Sequence, residues 1–291
     1  MCGLSGYIGE STDPDLTYEL ITSLFGNLDI RGLDASGVWA TESGENGSVF
    51  YHKEPLHARR FIQTTFWQRL ANHNINLMLV HARGASKGMG DPKLNKNNHP
   101  FASQDYRLAL IHNGVIYEAN DLKQHYETLS ECDSEVLLRI YEAEALKRNC
   151  WLDGVKEIWS LISQGHMAVA IGERDGANRT LSLFRNEKRP LWIADLRKYI
   201  GQIFFFSCPI IWEETLEEFS LTHLAQEYPP IELASQEAWY FELSDSLEYW
   251  EYPIITQSKI ISDLENVVAI APPQETLDVI SDLDAYDELL Y

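Results

Sequence analysis

The chain has 291 residues, of which 45% are hydrophobic and 11% aromatic, so it can bury the core of one large or two smaller domains and is not wholly disordered. Its formal net charge of −21 argues against nucleic acid as a direct partner, because two polyanions repel each other. No stretch reaches the roughly 18 apolar residues of a membrane span, and the N-terminus lacks the features of a secretory signal. The four cysteines form no CxxC pair, which predicts neither a zinc site nor a disulfide framework and favours a reducing, cytoplasmic location.

Apolar periodicity in the first half of the chain predicts buried strands around one long helix. The helix follows from apolar residues spaced as on one helical face, and a Gly-, Ser- and Asn-rich turn predicts that two of the strands pair as a hairpin. A loop rich in Gly, Pro, Lys and Asn separates the last two strands. The predicted helix is 16–28, the loop is 88–98, and the strands are 3–8, 37–41, 49–52, 77–81 and 108–112.

Asn113 and Gly114 directly follow the strand 108–112, and an Asn-Gly pair is a favoured tight turn, so we expect the chain to turn there. Two helices are predicted next, and strands dominate the rest. The helices are 133–147 and 155–162, and the strands are 167–171, 181–185, 191–194, 203–207 and 239–243. The basic residues between 185 and 189 are expected to be solvated. Periodicity alone therefore supports an α+β or a layered α/β domain.

The composition changes near Pro253, since residues 262–291 contain no Lys or Arg and end in an acidic run. We therefore predict one domain over residues 1–252 and an acidic C-terminal tail over 253–291. The tail has two open interpretations, a short segment that docks a partner protein or a disordered end without a role.

A cysteine at position 2 can become a complete catalytic unit. Removal of Met1 would leave a thiol and a free α-amine on Cys2, and this amine, with a reference pKa near 8, can take the thiol proton directly or through a water. A glutamine substrate needs a guanidinium for its carboxylate, a carboxylate for its ammonium and an oxyanion hole for its amide oxygen. Arg83, Asp133 and the pair Asn113-Gly114 are residues of the right types.

Six segments, in this order and at this spacing, resemble those of the class II glutamine amidotransferases, the glutaminase domains of the glucosamine-6-phosphate synthase and glutamine-PRPP amidotransferase kind. The segments are 1–6 (MCGLSG), 31–37 (RGLDASG), 81–86 (HARGAS), 98–100 (NHP), 112–114 (HNG) and 132–135 (CDSE). Weaker similarity extends the resemblance to about residue 250. It implies an α+β fold of the N-terminal-nucleophile type, a four-layer α/β/β/α sandwich with two antiparallel sheets.

The resemblance implies catalytic roles for three residues. Cys2 corresponds to the nucleophile and its α-amine to the general base. The side-chain amide of Asn113 and the backbone N–H of Gly114 correspond to the oxyanion hole. No metal ion or other cofactor is expected.

For substrate binding, the resemblance implies that Arg83 grips the carboxylate of L-glutamine and that Asp133 binds its amine. Ser86 corresponds to a hydroxyl that often contacts the same carboxylate, and His112 to a hydrogen-bonding residue around the pocket. The family's synthases often carry an aromatic residue close to the glutamine pocket at the position of Gly84, and this departure bears on coupling to an acceptor domain.

We therefore predict a stand-alone glutaminase that hydrolyses L-glutamine through a Cys2 thioester and passes ammonia to a separate acceptor protein, since the chain ends soon after the predicted domain. A first alternative is hydrolysis of another γ-glutamyl amide or peptide, for which Gly84 would leave room. A second alternative is a catalytically silent binding or structural module of a larger assembly.

Overall fold

The structure, a computed structural model, describes residues 2–148, 150–244 and 246–254. Its helices are α1 (Pro14–Asn27), α2 (Ala58–Phe61), α3 (Thr65–Leu70), α4 (Ala119–Leu122), α5 (Glu135–Arg148), α6 (Trp151–Leu161), α7 (Arg197–Ile200), α8 (Pro209–Glu218) and α9 (His223–Glu227). Its strands are β1 (Gly3–Ile8), β2 (Ala35–Glu42), β3 (Val49–Glu54), β4 (Ile75–Arg83), β5 (Phe101–Ala102), β6 (Leu108–Val115), β7 (His166–Asp175), β8 (Asn178–Arg185), β9 (Trp192–Leu196), β10 (Gln202–Phe206), β11 (Ile231–Glu232), β12 (Glu237–Leu243) and β13 (Leu247–Pro253).

The strands form two antiparallel sheets. The first sheet has the order β11-β9-β10-β1-β4-β2-β3, and the second has the order β13-β12-β8-β7-β6-β5. In the first, β1 lies between β10 and β4, with Gly3 opposite Ala82. In the second, β6 pairs with β7, with Asn113 opposite Ala168. Strand β1 is thus the central strand of the first sheet. Its hydrogen-bonded neighbours, β10 and β4, fix the position of residue 2 at its start.

Three apolar cores hold the layers together. The core between the two sheets contains Leu4, Leu79 and Ile111, all fully buried. Helices α1 and α8 cover the outer face of the first sheet, and α5 and α6 cover the outer face of the second. Each strand alternates its side chains between two faces, and both faces of each sheet are buried. The strand sequences are therefore largely apolar runs. The predicted four-layer α/β/β/α sandwich is confirmed.

Local sequence signals explain where α1 begins. Asp13 accepts a hydrogen bond from the backbone N–H of Leu16 at 3.0 Å, and Pro14 occupies the first turn, where its missing N–H costs nothing. The inward residues Leu20 and Leu24 then pack against the first sheet. The predicted helix and hairpin of the first half are confirmed, since β2 and β3 pair around the turn at 42–48.

The predicted turn at Asn113-Gly114 is wrong. Both residues lie inside β6, which runs on to Val115. A Cβ atom on Gly114 would approach the carbonyl oxygen of His166 to 1.7 Å, so the glycine is required for close approach of two strands. The Asn-Gly pair therefore marks a close approach of two strands near the end of β6 and not a turn.

Two further expectations are corrected. Helix α8 lies in a region for which we predicted mainly strands; its Pro209 stands at the first turn and signals a helix start. Arg185, expected to be solvated, is 9% exposed, forms an ion pair with Glu232 at 3.0 Å and donates to the carbonyl of Leu233. The acidic tail lies outside the described residues from residue 255 onward, so the domain boundary stays a prediction. None of the helices described has the length and apolar composition needed to cross a membrane.

The inter-sheet core gives a first test of the fold. We expect Leu79→Ala to lower the free energy of unfolding by about 2–5 kcal/mol, because it removes buried methyl groups and leaves a cavity between the sheets. The matched control is Leu129→Ala, since this leucine is 77% exposed and its loss should change stability by less than about 0.5 kcal/mol. Urea unfolding followed by circular dichroism measures both; equal effects would contradict the four-layer packing.

Candidate active site

Cys2 lies where β1 begins, beside the end of β4. The half-buried Cys2 thiol lies 3.7 Å from the carbonyl oxygen of Gly84, the residue that follows β4. The Cys2 carbonyl accepts a hydrogen bond from Nε of Arg31 at 2.9 Å. Residue 2 is therefore held by its backbone, while its thiol faces the loop that leaves β4.

The segment 31–34 fixes the start of that loop. The backbone N–H of Asp34 donates to the carbonyl of Arg83 at 2.9 Å, and the Asp34 carboxylate accepts from the N–H of Ala85 at 2.7 Å. Gly32 packs so closely that a Cβ on it would lie 2.5 Å from the carbonyl carbon of Arg83. Segment 31–34 thus organises the site wall and positions Cys2, Arg83 and Gly84 relative to one another.

Strand alternation directs polar side chains of both sheets into the space between them. Leu4, Leu79 and Ile111 belong to the inter-sheet core, and side chains two or four residues away on a strand share their face. Among the polar side chains that share these faces are Cys2, Arg83 and Asn113, and the buried His81 is another. The first two come from the first sheet and the third from the second, so the sandwich brings them together.

Arg83 is 2% exposed, and its guanidinium is held by the loop that follows it. Nη1 donates to Oδ1 of Asn98 at 2.8 Å, and Nη2 donates to the carbonyls of Met89 and Gly90 at 2.5 and 3.1 Å. Three of the five guanidinium N–H groups are engaged in this way within the described residues, so two remain for an anion.

Ser86 is exposed in the same loop, at the edge of an open surface cleft of about 570 Å³. The cleft is lined by residues of the loop and by Glu131. It therefore lies next to the loop that holds Arg83.

Asn113 is 1% exposed, and its Nδ2 has no hydrogen-bond partner among the described residues. Leaving a buried donor unpaired costs on the order of 1–3 kcal/mol. An unpaired buried donor in a native protein needs an explanation, and a ligand atom that accepts its hydrogen bond is one.

Asp133 is 5% exposed and precedes α5. Its Oδ2 accepts from the backbone N–H of Ile116 at 2.7 Å, and its Oδ1 lies 3.3 Å from the hydroxyl of Ser134. The carboxylate therefore ties the chain just after Asn113 and Gly114 to the start of α5.

His112 points to the outer face of the second sheet, where both ring nitrogens have partners. Nδ1 lies 2.8 Å from the hydroxyl of Ser134, and Nε2 lies 3.1 Å from the carbonyl of His166. Burial lowers the pKa of the ring, so it stays neutral near pH 7. The contacts make His112 a brace between Ser134 and β7.

Two more imidazoles, His81 and His99, lie against each other with ring centroids 4.0 Å apart and planes tilted by 30°. Burial lowers the pKa of His81 to about 3 and that of His99 well below its usual value. His81 donates to the His112 carbonyl at 3.0 Å. Among the described residues, no three His, Cys, Asp or Glu side chains are grouped to hold a metal ion.

Burial raises the pKa of the Cys2 thiol, so the resting group is protonated near pH 7. Arg83 lowers this pKa and Asp133 raises it, which means that both charges lie close to the sulfur. The site thus combines a protonated thiol, a guanidinium, a carboxylate and an unpaired amide donor. This set suits attack of a thiol on a carbonyl carbon, provided that a base removes the thiol proton.

Sequence reasoning did not single out Lys53, a residue of β3 whose Nζ donates to the carbonyls of Asn98 and Pro100 at 2.7 and 3.2 Å. It lies outside every segment that carries the resemblance, and a lysine on an edge strand predicts a solvated side chain. Only the contacts across the sandwich place it near Arg83.

Comparison with known sequences identifies relatives. A family model described as a glutamine amidotransferase domain matches residues 89–210. A glutamine–fructose-6-phosphate aminotransferase (isomerizing) from Staphylococcus aureus is 28% identical over 195 residues, which are 66% of this chain and 30% of the relative. A protein of the same name from Bacillus thuringiensis is 27% identical over 199 residues, with the same coverage. The chain thus spans about 30% of the length of these relatives.

Comparison with solved structures gives the same fold. A glutamine phosphoribosylpyrophosphate amidotransferase from B. subtilis, complexed with ADP and GMP, superposes with a TM-score of 0.57 at 20% identity over 88% of this chain and 50% of that one. A glutamine aminotransferase class-II domain protein from Silicibacter pomeroyi gives a TM-score of 0.53 at 13% identity, over 88% of this chain and all of that one. At these identities the likeness shows the fold.

The raised pKa of Cys2 can be tested by alkylation. In protein produced with an N-terminal extension, residue 2 carries no free amine. We then expect the rate of Cys2 carbamidomethylation to rise about tenfold per pH unit through pH 9, because only the thiolate reacts. Peptide mapping separates Cys2 from the half-buried Cys150 and Cys208. A rate that levels off below pH 8 would contradict the desolvated thiol.

Proposed function

Because the chain belongs to the class II glutamine amidotransferases, we propose that it hydrolyses L-glutamine to glutamate and ammonia through a thioester on Cys2. The observation that best supports the proposal is that strand alternation puts Cys2, Arg83 and Asn113 on the faces between the sheets, where the Asn113 amide nitrogen has no partner among the described residues. A thiol nucleophile, an anion binder and an oxyanion donor are the groups that this reaction needs.

Acylation would begin with the α-amine that Met1 removal exposes. This amine takes the thiol proton, and the sulfur attacks the amide carbon of glutamine. The oxygen of the tetrahedral intermediate becomes negative and accepts hydrogen bonds from Nδ2 of Asn113 and the N–H of Gly114. Transfer of the proton from the α-ammonium to the leaving nitrogen then releases ammonia and leaves the γ-glutamyl thioester.

Deacylation would use water in place of the thiol. The α-amine takes a proton from the water, whose oxygen attacks the thioester carbon, and the same donors hold the second oxyanion. Collapse releases glutamate and returns the proton to the sulfur. Since the burial of Cys2 raises its thiol pKa, the thiolate is an unfavourable resting state and the amine must act at each turnover.

Substrate recognition would rest on two opposite charges. The two guanidinium N–H groups of Arg83 that remain free face the substrate carboxylate, with the hydroxyl of Ser86 beside them. Asp133 binds the substrate ammonium. This pairing of a buried cation and a buried anion selects an amino acid, because either group would be left unpaired by a ligand that lacks its partner. His112 supports the pocket through Ser134.

The ammonia would pass to an acceptor protein. The relatives reported above are named aminotransferases, and this chain matches 30% of their length. A reducing, cytoplasmic location fits a nucleophilic thiol, because oxidation would inactivate it. Co-purification from the native source tests the partner, and a monodisperse monomer that captures nothing would count against it.

The absence of a side chain at Gly84, whose carbonyl oxygen lies 3.7 Å from the Cys2 thiol, favours one alternative, hydrolysis of γ-glutamyl amides with larger leaving groups. A panel of L-glutamine, γ-glutamyl-methylamide and γ-glutamyl peptides separates the two. Release of ammonia from glutamine with the highest kcat/KM supports the glutaminase; a preference for the larger amides supports the alternative.

The first test is intact-mass spectrometry before and after incubation with 6-diazo-5-oxo-norleucine. We expect the purified protein to lack Met1 and to gain one adduct, which maps to Cys2, because the reagent carries the carboxylate and ammonium of glutamine. The control is Cys2→Ala, which should gain none. Retention of Met1, or a processed Cys2 that stays unlabelled, would overturn the proposal in favour of a binding or structural module.

The oxyanion role of Asn113 predicts a second outcome. We expect Asn113→Ala to lower kcat about 10²- to 10³-fold with little change in KM, because its donor binds charge that develops only in the transition state. Asn76→Ala is the matched control: Asn76 is also buried and lies on the strand of Arg83, where it donates to Glu10 at 2.8 Å. If both variants lose activity alike, the loss reflects stability.

A further inference from the structure

Lys53 extends from β3 towards the turn that precedes β5. Its Nζ donates to the backbone carbonyls of Asn98 and Pro100, at 2.7 and 3.2 Å, and lies 5.0 Å from the centre of the Phe101 ring. On the same strand face, the hydroxyl of Tyr51 donates to the Pro100 carbonyl at 2.9 Å. Two side chains of the first sheet thus hold the segment 98–100.

The same segment holds Arg83. Asn98 is fully buried, and its Oδ1 accepts from Nη1 of Arg83 at 2.8 Å. Its Nδ2 donates to the carbonyl of Pro92 at 2.7 Å, within the loop whose carbonyls hold the other guanidinium nitrogen. One residue therefore connects the ammonium of Lys53 to the guanidinium of Arg83, through its backbone carbonyl on one side and its amide on the other.

Burial makes this a costly place for a cation. Desolvation lowers the pKa of Lys53 to about 8, with Arg83 acting in the same direction and Glu135 opposing it. A Met side chain of similar length would fill the space without this cost. A Met side chain cannot supply the two hydrogen bonds that Lys53 donates to the backbone carbonyls of Asn98 and Pro100.

We propose that Lys53 is a positioning residue for substrate recognition, which clamps the segment 98–100 so that Asn98 orients Arg83 towards the α-carboxylate of the substrate. This inference rests on the proposed glutaminase function. Lys53 does not contact the reacting atoms; it acts through Asn98.

The experiment compares Lys53→Met with the wild type on two substrates, L-glutamine and 4-aminobutanamide, which lacks the α-carboxylate. We expect KM for glutamine to rise about five- to tenfold with kcat changed less than about twofold, because the loss falls on carboxylate binding. The low kcat/KM for 4-aminobutanamide should stay the same within a factor of about two, since that substrate does not use Arg83.

Two further variants separate positioning from stability. Tyr51→Phe removes a neighbouring hydrogen bond to the Pro100 carbonyl without touching Asn98, so KM for glutamine should change less than about twofold. In an Asn98→Ala background, Lys53→Met should have little further effect, because the connection to Arg83 is already broken. If Lys53→Met fails to fold by circular dichroism, Lys53→Arg, which keeps the charge and the donors, is measured instead and should retain the wild-type KM.

The outcomes distinguish this inference from the function on which it rests. Absence of wild-type glutamine turnover overturns the proposed function. With wild-type turnover present, an unchanged KM in Lys53→Met, an equal loss on both substrates, or additive effects with Asn98→Ala overturn the positioning role.

Discussion

The antiparallel pairing of β1 with β4 is the constraint on which the site depends. It sets Gly3 opposite Ala82, so that residue 2 and residue 83 leave the sheet side by side. A slip of one residue in either strand would turn every side chain to the other face and move the Cys2 thiol or the Arg83 guanidinium away from the inter-sheet space. Both faces of these strands are buried, which protects the register. A slip would exchange the side chains packed between the sheets with those packed beneath α1 and α8, so neither core would pack as before.

Desolvation is the second theme of the site, and it acts differently on each group. It keeps His81, His99 and His112 neutral, so the hydrogen bonds of this cluster persist across the physiological pH range. It also keeps the Cys2 thiol protonated, which makes a nearby base necessary for reactivity. Asn113 carries a buried amide donor that has no partner among the described residues. Under the proposed mechanism a developing oxyanion supplies that partner, so the same burial favours the transition state.

The sequence predicted most strands and the long helices, because their apolar periodicity is strong and each element buries a face. It failed where local chemistry and tertiary context disagree. Asn113-Gly114 has the composition of a turn, yet close approach of β7 to Gly114 keeps it extended. Arg185 looked solvated within a basic run, although carbonyls and Glu232 surround it in the fold. The constellation of Cys2, Arg83, Asn113 and Asp133 could be proposed because the residues lie in distinctive segments. Lys53 could not, since its partners lie more than 40 positions away and no local pattern marks them.

The loop 84–98 holds the Arg83 guanidinium in place and leaves its positive charge only partly compensated. Its carbonyls hold the Arg83 guanidinium, which keeps this buried cation oriented without a neutralising carboxylate. A carbonyl is a weaker partner for a guanidinium than a carboxylate is, so under the proposed function part of the Arg83 charge stays available to a substrate carboxylate. Asn98 adds to this orientation, because its amide oxygen accepts a hydrogen bond from Arg83 and its backbone carbonyl accepts one from Lys53. Under the proposed function, a fixed orientation and incomplete pairing would together let the buried arginine bind the substrate carboxylate tightly and in one geometry.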